Sequence, residues 1–139
     1  MDWSSVKAPG LGDIERLAGE AFARLPVTFV AQCEGLVIRV EDVPDEDVIM
    51  ELGLDGPFDL LGLYHGTSLA DKSTFDPPAL PDMVFLYRRP LLDFWAEGEE
   101  SLGDIVTHVL VHEIGHHFGL SDEEMERLER EAGVWAPRV

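Results

Sequence analysis

Cysteine is almost missing from this sequence of 139 residues, in which Cys33 is the only one. A disulfide within the chain is therefore excluded, and a buried, inert thiol is the favoured interpretation of Cys33. Long apolar runs are missing as well, since no stretch approaches the roughly eighteen residues that a membrane-spanning helix requires. The first residues lack the basic start and apolar run of a secretion signal. We therefore expect a cytoplasmic protein with no membrane partner.

Basic residues are scarce, because 10 Lys and Arg stand against 28 Asp and Glu, for a formal net charge of −18. Nucleic-acid binding is disfavoured, since phosphate contacts rely on clustered Lys and Arg. An anionic membrane surface is disfavoured for the same reason. The acidity is compatible with steering of basic peptides, but its commoner meaning is a solvated surface that resists association.

The length and composition fit one globular domain spanning residues 1–139. A chain of this size can bury roughly two-thirds of the surface that it exposes when unfolded. Its 45% of hydrophobic and 27% of charged residues are ordinary for a globular protein. The order of predicted elements is helix, strands, helix, strands and two helices, which indicates an α+β fold.

Hydrophobic periodicity and turn residues locate these elements along the chain. The predicted elements are a helix that Asp13 caps and Pro26 ends, strands at residues 27–31 and 36–40 that could form a hairpin, a short helix from Pro44 to Gly53, strands at 60–64 and 83–88, a long helix from Ser101 or Asp104 to Phe118, and a last helix opened by Ser121. Between the later strands lies a long loop, residues 66–82. We expect it to form one wall of an active site, although mobility would explain its length equally well.

The strongest chemical signal lies in the second long helix. His112 and His116 are four residues apart, so both side chains project from one helix face and can bind one metal ion. Glu113 lies about 100° around the helix axis from His112, where it could reach a metal-bound water without being a ligand. This pattern predicts a zinc site with Glu113 as the general base. The alternative is a surface histidine pair on an amphipathic helix.

Gly119 and Asp122 extend this motif. Glycine at position 119 would let the chain leave the helix with a positive φ and turn back, so that Asp122 approaches the metal. Three protein ligands, His112, His116 and Asp122, would leave one position for water, as in catalytic zinc sites. Asp122 also falls in the first turn after Ser121, where the helix dipole stabilises a carboxylate, and the two roles are compatible.

The pattern His112-Glu113-x-x-His116-x-x-Gly119-x-x-Asp122 resembles the metzincin signature, with Asp122 standing where the third histidine is usual. Segment 112–124, together with residues 60–64, is similar to the minimal zincin-like family of bacterial metallopeptidases. That similarity extends over roughly the last two-thirds of the chain. It implies a compact single-domain zincin fold, in which a small mixed sheet, the active-site helix and flanking helices form a cleft.

The resemblance also implies an edge strand that receives an extended peptide by β-augmentation. We expect residues 83–88 to be that strand, because Arg88-Arg89-Pro90 suits a strand end facing solvent. The chain departs from the metzincins in having Met125 within a predicted helix, where they have a methionine turn beneath the metal. In a thermolysin-like arrangement Glu129 or Glu131 would replace Asp122 as third ligand, but both lie on a charged helix face.

Five further residues are weaker candidates. His108 precedes His112 by one turn and could orient a ligand or line the cleft, but hydrogen bonding within the core is favoured. His117 points away from the metal face, and His65 is a lone loop histidine. The phenols of Tyr64 and Tyr87 could donate to a developing oxyanion, although packing is the commoner role of such residues.

The sequence thus predicts a peptidase that acts on peptide or protein substrates with Zn²⁺ held by His112, His116 and Asp122. Glu113 would take a proton from the metal-activated water and return it to the leaving amine. A non-catalytic metal-binding or interaction module with the same shape is the second hypothesis. Hydrolysis of another kind of amide is the third.

Overall fold

The computed structural model describes residues 2–66 and 81–124. Its helices and strands are α1 (Leu11–Ala23), α2 (Val27–Gln32), β1 (Val37–Glu41), α3 (Glu46–Glu51), β2 (Gly62–His65), β3 (Met83–Tyr87), α4 (Arg88–Glu97) and α5 (Leu102–His117). Short 3₁₀ turns at Trp3–Ser5 and Pro57–Asp59 precede α1 and β2. These helices and the small mixed sheet confirm the predicted α+β fold.

Two predicted regions fall largely outside the described residues. They are the interior of the long loop and most of the last helix, which includes Met125, Glu129 and Glu131. Among the described helices, none combines the length and apolarity that crossing a membrane would take.

The sheet has the strand order β1-β3-β2, so β3 is its central strand. β1 runs parallel to β3, with Val37 opposite Met83, and β2 runs antiparallel to it, with Gly62 opposite Leu86. The prediction that residues 83–88 form an edge strand is therefore wrong. The apolar run at residues 83–88 reflects instead the burial of a central strand on both faces of the sheet. β1 and β2 form the edges of the sheet in the described ranges.

Residues 27–31 lie in helix α2, so the strand and the hairpin predicted there are also wrong. The carbonyl of Pro26 accepts hydrogen bonds from the amides of Phe29 (2.9 Å) and Val30 (3.1 Å), which closes a helical turn directly after α1. The Phe29 ring packs against Phe118 at the end of α5, with centroids 5.4 Å apart. Strand propensity spans only about 1 kcal/mol and yields to such contacts. The predicted strand at 36–40 is confirmed as β1, but its partner is β3.

Arg88 and Pro90 belong to the first turn of α4, a helix that the sequence analysis did not predict. Tyr87 ends β3 and is at the same time the N-cap of α4, so no turn residue separates the two elements. Proline is tolerated in a first helical turn, where its missing N–H would have no partner. The Arg88 guanidinium donates to the carbonyl of Pro9 and, at 3.2 Å, to the Asp42 carboxylate.

The core lies between the sheet, α1 and α5. The apolar stripe of α1 is confirmed, but the N-cap is Gly10 and not Asp13, whose carboxylate in the first turn accepts from the Gly10 amide at 2.8 Å. α5 is buried along most of its length, and its N-cap Ser101 accepts from the Asp104 amide at 3.1 Å. Cys33 is buried as expected, and that burial raises the pKa of its thiol. Among the described residues, the fully buried apolar ones include Ile14, Val84, Leu86, Leu91, Ile105, Val106, Val109 and Leu110.

β2 lies directly against α5, with Gly62 at the contact. A methyl group added to Gly62 would stand 2.6 Å from Cγ1 of Val109 and 3.4 Å from Cγ of Glu113. Real contacts of this kind are about 3.5–4.0 Å, so only glycine allows the strand to approach α5 this closely. The approach sets the distance between the sheet and the motif helix.

Candidate metal centre

α5 presents the three motif residues from its last turns. His112 and Glu113 are buried, with 3% and 2% of their surfaces exposed, and His116 is partly buried. The imidazole rings of His112 and His116 lie edge to face, with centroids 4.9 Å apart. One ligand-type atom from each of His112, Glu113 and His116 lies within 4.8 Å of the others. This is the arrangement that two histidines one turn apart on a helix produce.

The turn after α5 closes on Gly119, which has a φ of +91°. The amide of Gly119 donates to the carbonyl of His116 at 2.9 Å, and the amide of Leu120 donates to that of Gly115 at 3.0 Å. These two bonds form a Schellman motif, in which glycine adopts the left-handed conformation at little cost. The predicted helix end at Gly119 is confirmed, and the chain turns back towards the histidines.

This turn determines which nitrogen of the His116 ring carries the proton. Nδ1 of His116 lies 2.8 Å from the carbonyl oxygen of Leu120. A carbonyl only accepts hydrogen bonds, so Nδ1 carries the proton and, in the neutral ring, Nε2 presents its lone pair. Metal-binding histidines commonly donate their second N–H to a carbonyl in this way. The carbonyl of Leu120 was missed in the sequence analysis, although the glycine three residues after His116 is its signal.

Asp122 brings a carboxylate to both histidines. Its Oδ1 lies 2.9 Å from Nε2 of His116 and 3.3 Å from Nε2 of His112. Because Nδ1 of His116 already holds a proton, a neutral His116 faces Asp122 with two acceptor atoms in contact. Two acceptors at this distance repel each other unless a cation, either a proton or a metal ion, stands between them. The three atoms therefore form a binding place for positive charge.

Asp122 lies in the first turn of the next helix, as its place after Ser121 predicted, and Ser121 supplies the N-cap of that helix. The hydroxyl of Ser121 accepts from the amide of Glu124 at 3.1 Å and lies 3.2 Å from the Glu124 carboxylate. Residues 122–124 are helical, so Ser121 is the N-cap, as its spacing to Glu124 predicted. The Asp122 side chain, 68% exposed, turns to the histidines instead.

The Glu113 carboxylate is enclosed next to this cluster. Its Oε1 lies 4.0 Å from Nε2 of His116, and its Oε2 has no hydrogen-bond partner among the described residues. Burial, followed by the nearby charge of Asp122, raises the pKa of Glu113 to about 8, while a hydrogen bond from the main-chain N–H of Tyr64 opposes the shift. A buried carboxylate oxygen without a partner is costly unless a ligand or a water molecule satisfies it.

The donor set fits zinc. Two imidazole nitrogens and one carboxylate oxygen form a three-ligand set of the kind found in catalytic zinc sites. Ligand atoms that share a tetrahedral zinc lie roughly 3.3 Å apart, because each bond is about 2.0–2.1 Å long. The separations of 2.9 and 3.3 Å from Oδ1 of Asp122 to the two histidine nitrogens agree with this value.

The structure places the weaker candidates outside the group of ligand atoms. His65 is exposed at the end of β2, and His108 is partly buried one turn before His112. The phenol of Tyr64 contacts His117 at 2.9 Å, and His117 is a buried residue and not a surface one. Tyr87 is buried, and burial together with the charges of neighbouring carboxylates raises the pKa of its phenol.

Comparison with known proteins agrees with this geometry. A search of curated proteins found no significant match to the chain. The family model for zincin-like metallopeptidases matches residues 33–132, a span that includes β1, β2, β3, α4, α5 and the turn to Asp122. On this evidence, the chain belongs to the zincin-like metallopeptidase family.

Proposed function

We propose that this protein is a zinc-dependent peptidase in which His112, His116 and Asp122 hold the metal and Glu113 is the general base. The observation that carries the proposal is the meeting of Oδ1 of Asp122 with Nε2 of both histidines, while Nδ1 of His116 is held as a donor by Leu120. Membership of the metallopeptidase family supports it independently.

Distances favour Asp122 over Glu113 as the third ligand. Oδ1 of Asp122 lies 2.9 Å from Nε2 of His116, whereas Oε1 of Glu113 lies 4.0 Å away. Glu113 therefore lies further from His116 than Asp122 does, where its carboxylate can contact a water molecule or a substrate. Its unpartnered Oε2 is the atom that we assign to this contact.

A bound Zn²⁺ would lower the pKa of a water molecule and polarise the carbonyl of the scissile bond. Glu113 would accept a proton from a water molecule whose oxygen adds to the scissile carbonyl carbon, and would deliver that proton to the amine as the C–N bond breaks. Glu113 is buried beside the histidines, where its carboxylate can exchange a proton with a water molecule at the site. The Tyr64 N–H holds the carboxylate in place during both transfers.

A peptide or protein is the substrate that this proposal assigns. Pairing of an extended peptide with a strand, which was expected of residues 83–88, would need an edge strand, and β1 and β2 are the edge strands among the described residues. The net charge of −18 supports a substrate other than nucleic acid. A cytoplasmic location is part of the same proposal, since the single, buried Cys33 suits a reducing compartment.

Zinc content tests the metal site. We expect the purified protein to bind one zinc per chain, His112→Ala to lose it, and His65→Ala, which removes an exposed histidine outside the cluster, to keep it. Asp122→Asn should weaken zinc binding, whereas Glu123→Gln, one residue further along, should not. Equal zinc in the wild type and in His112→Ala would overturn the assignment.

Peptide cleavage tests the chemistry. We expect Glu113→Gln to retain zinc and to lose cleavage of a mixed peptide library, read out by mass spectrometry. A zinc-loaded wild type that cuts no peptide would refute the peptidase proposal and favour the non-catalytic module. Release of product from amides other than peptides, with peptides left intact, would favour the third hypothesis.

A further inference from the structure

A second buried polar cluster lies beneath the end of α5. Among the described residues, the buried polar or charged ones are His112, Glu113, Asp82 and His117. The first two belong to the metal centre, but Asp82 and His117 have no part in the proposed reaction. Burial of such groups costs free energy unless they are hydrogen-bonded. Their contacts therefore show what the pair does.

His117 is held on both sides of its ring. Nε2 lies 3.2 Å from the main-chain oxygen of Gln32, and because a carbonyl only accepts, Nε2 is the donor. Nδ1 lies 2.9 Å from the hydroxyl of Tyr64 and 3.7 Å from the carboxylate of Asp82. The ring thus joins the end of α2, strand β2 and the start of β3 to the last turn of α5.

Tyr64 is the residue shared by this cluster and the metal centre. Its phenol bonds His117 and also Asp82, and burial with the Asp82 charge raises the pKa of that phenol, which keeps it protonated. Its main-chain N–H bonds the carboxylate of Glu113. One residue therefore contacts His117 through its side chain and Glu113 through its backbone.

We propose that Tyr64 and His117 are positioning residues for Glu113. The contact between phenol and imidazole fixes β2 against the last turn of α5, and this places the Tyr64 N–H on the Glu113 carboxylate. The inference rests on the proposed function, because Glu113 matters as the general base of that reaction. It assigns Tyr64 a role other than oxyanion stabilisation, since its hydroxyl is engaged with His117.

The competing explanation is a polar network that stabilises the fold alone. The two explanations differ in which amides respond when a contact is removed. If the network only stabilises the fold, its loss lowers stability throughout the domain. If the contact positions Tyr64, its loss loosens the Tyr64 N–H more than the rest of the sheet. Hydrogen exchange resolved by residue distinguishes them, and it needs neither metal nor substrate.

The experiment measures amide exchange by NMR in the full chain with a chelator present. We compare Tyr64→Phe, which removes only the hydroxyl, and His117→Gln with Ile14→Val, a core change in α1 outside this polar cluster. We expect exchange at residue 64 to accelerate about tenfold beyond the change at the slowest amides of β3 in the first two variants, and by no more than those amides in Ile14→Val. Equal changes at residue 64 and in β3 in every variant would overturn the proposal.

Gly66→Ala supplies a second approach that leaves Tyr64 and His117 intact. A methyl group there would overlap Oδ1 of Asp82 and displace that carboxylate from the cluster, and alanine would also be strained at the φ of +151° that Gly66 adopts. We expect the same selective loosening at residue 64, so the test holds even if His117→Gln fails to fold. An unchanged residue 64 amide in a Gly66→Ala protein with a displaced Asp82 would count against the proposal.

Kinetics of the zinc-loaded enzyme give the functional consequence. We expect Tyr64→Phe to lower kcat about tenfold with KM and zinc affinity unchanged, since the base and not the metal is displaced. An unchanged kcat in an active enzyme would overturn the positioning role. A wild type without zinc or peptidase activity would refute the proposed function instead, while the exchange experiment would still decide whether Tyr64 and His117 position Glu113.

Discussion

Gly62→Ala tests whether close packing of β2 on α5 sets the geometry of the centre. The new methyl would stand 2.6 Å from Cγ1 of Val109 and 3.1 Å from the carbonyl oxygen of Phe85. Val109 is fully buried and cannot swing into solvent. Overpacking of this kind costs about 1–3 kcal/mol, and we expect a loss near 2 kcal/mol. For a chain of this length that corresponds to a Tm lower by roughly 6–10 °C.

Val109→Ala provides the internal check. Alone, it should cost about 2 kcal/mol, because it removes two buried methyl groups and leaves a small cavity. In the double variant the methyl on residue 62 fills part of the space left by Cγ1. We therefore expect the double variant to be about 1–2 kcal/mol more stable than the sum of the single losses predicts.

Urea unfolding of the metal-free chain measures all three variants, with the m-value as a check that the unfolding reaction is unchanged. Gly19→Ala is the matched control, since a methyl at this position in α1 would meet nothing within 4 Å. It should stabilise the protein by roughly 1 kcal/mol through helix propensity. Strict additivity of Gly62→Ala and Val109→Ala would refute the argument, because it would show that the two groups do not compete for one space.

Three further predictions concern the ends of α5 and the carboxylate of Glu113. Without metal, the raised pKa of Glu113, about 8 against an ordinary value of 4.5, means that the folded protein loses stability as the pH rises between these values, by about 3 kcal/mol at pH 7. Glu113→Gln should remove this loss, and thermal unfolding at pH 5 and pH 7.5 with chelator checks it, since equal pH dependence in both proteins would contradict it. Gly119→Ala forces alanine into a φ of +91°, at a cost of about 1–2 kcal/mol, and should weaken zinc binding about tenfold as the carbonyl on Nδ1 of His116 moves. Gly53→Ala, at a φ of +64°, should lose similar stability but no zinc affinity when measured by competition with a chelating dye. Ser101→Ala removes the N-cap of α5 and should cost about 1 kcal/mol in urea unfolding with zinc affinity unchanged.

The parts of the centre that could be predicted from the sequence are those fixed within one or two turns of chain. The spacing of His112 and His116, the cap at Ser101 and the turn at Gly119 each express a local rule of helix geometry. The position of Asp122 follows from that turn. All of these lie in one continuous segment, so no long-range pairing had to be known.

The parts that could not be predicted depend on contacts between distant segments. β1 pairs with β3 across more than forty residues, and an apolar run does not say whether its strand is central or at an edge. Residues 27–31 have strand-like composition, but Pro26 and the packing of Phe29 on Phe118 make them a helix. The cluster of Tyr64 and His117 likewise joins residues 53 positions apart and leaves no periodic signal.

The two carboxylates of the centre differ in their surroundings, and the difference supports the roles proposed for them. Asp122 has 68% of its side chain exposed, so its charge keeps much of its hydration and is available to a metal ion without a large desolvation cost. Glu113 is enclosed, and its charge is costly until a cation approaches or a proton binds. In pairs of carboxylates with opposed environments, one commonly stays ionised while the other transfers a proton.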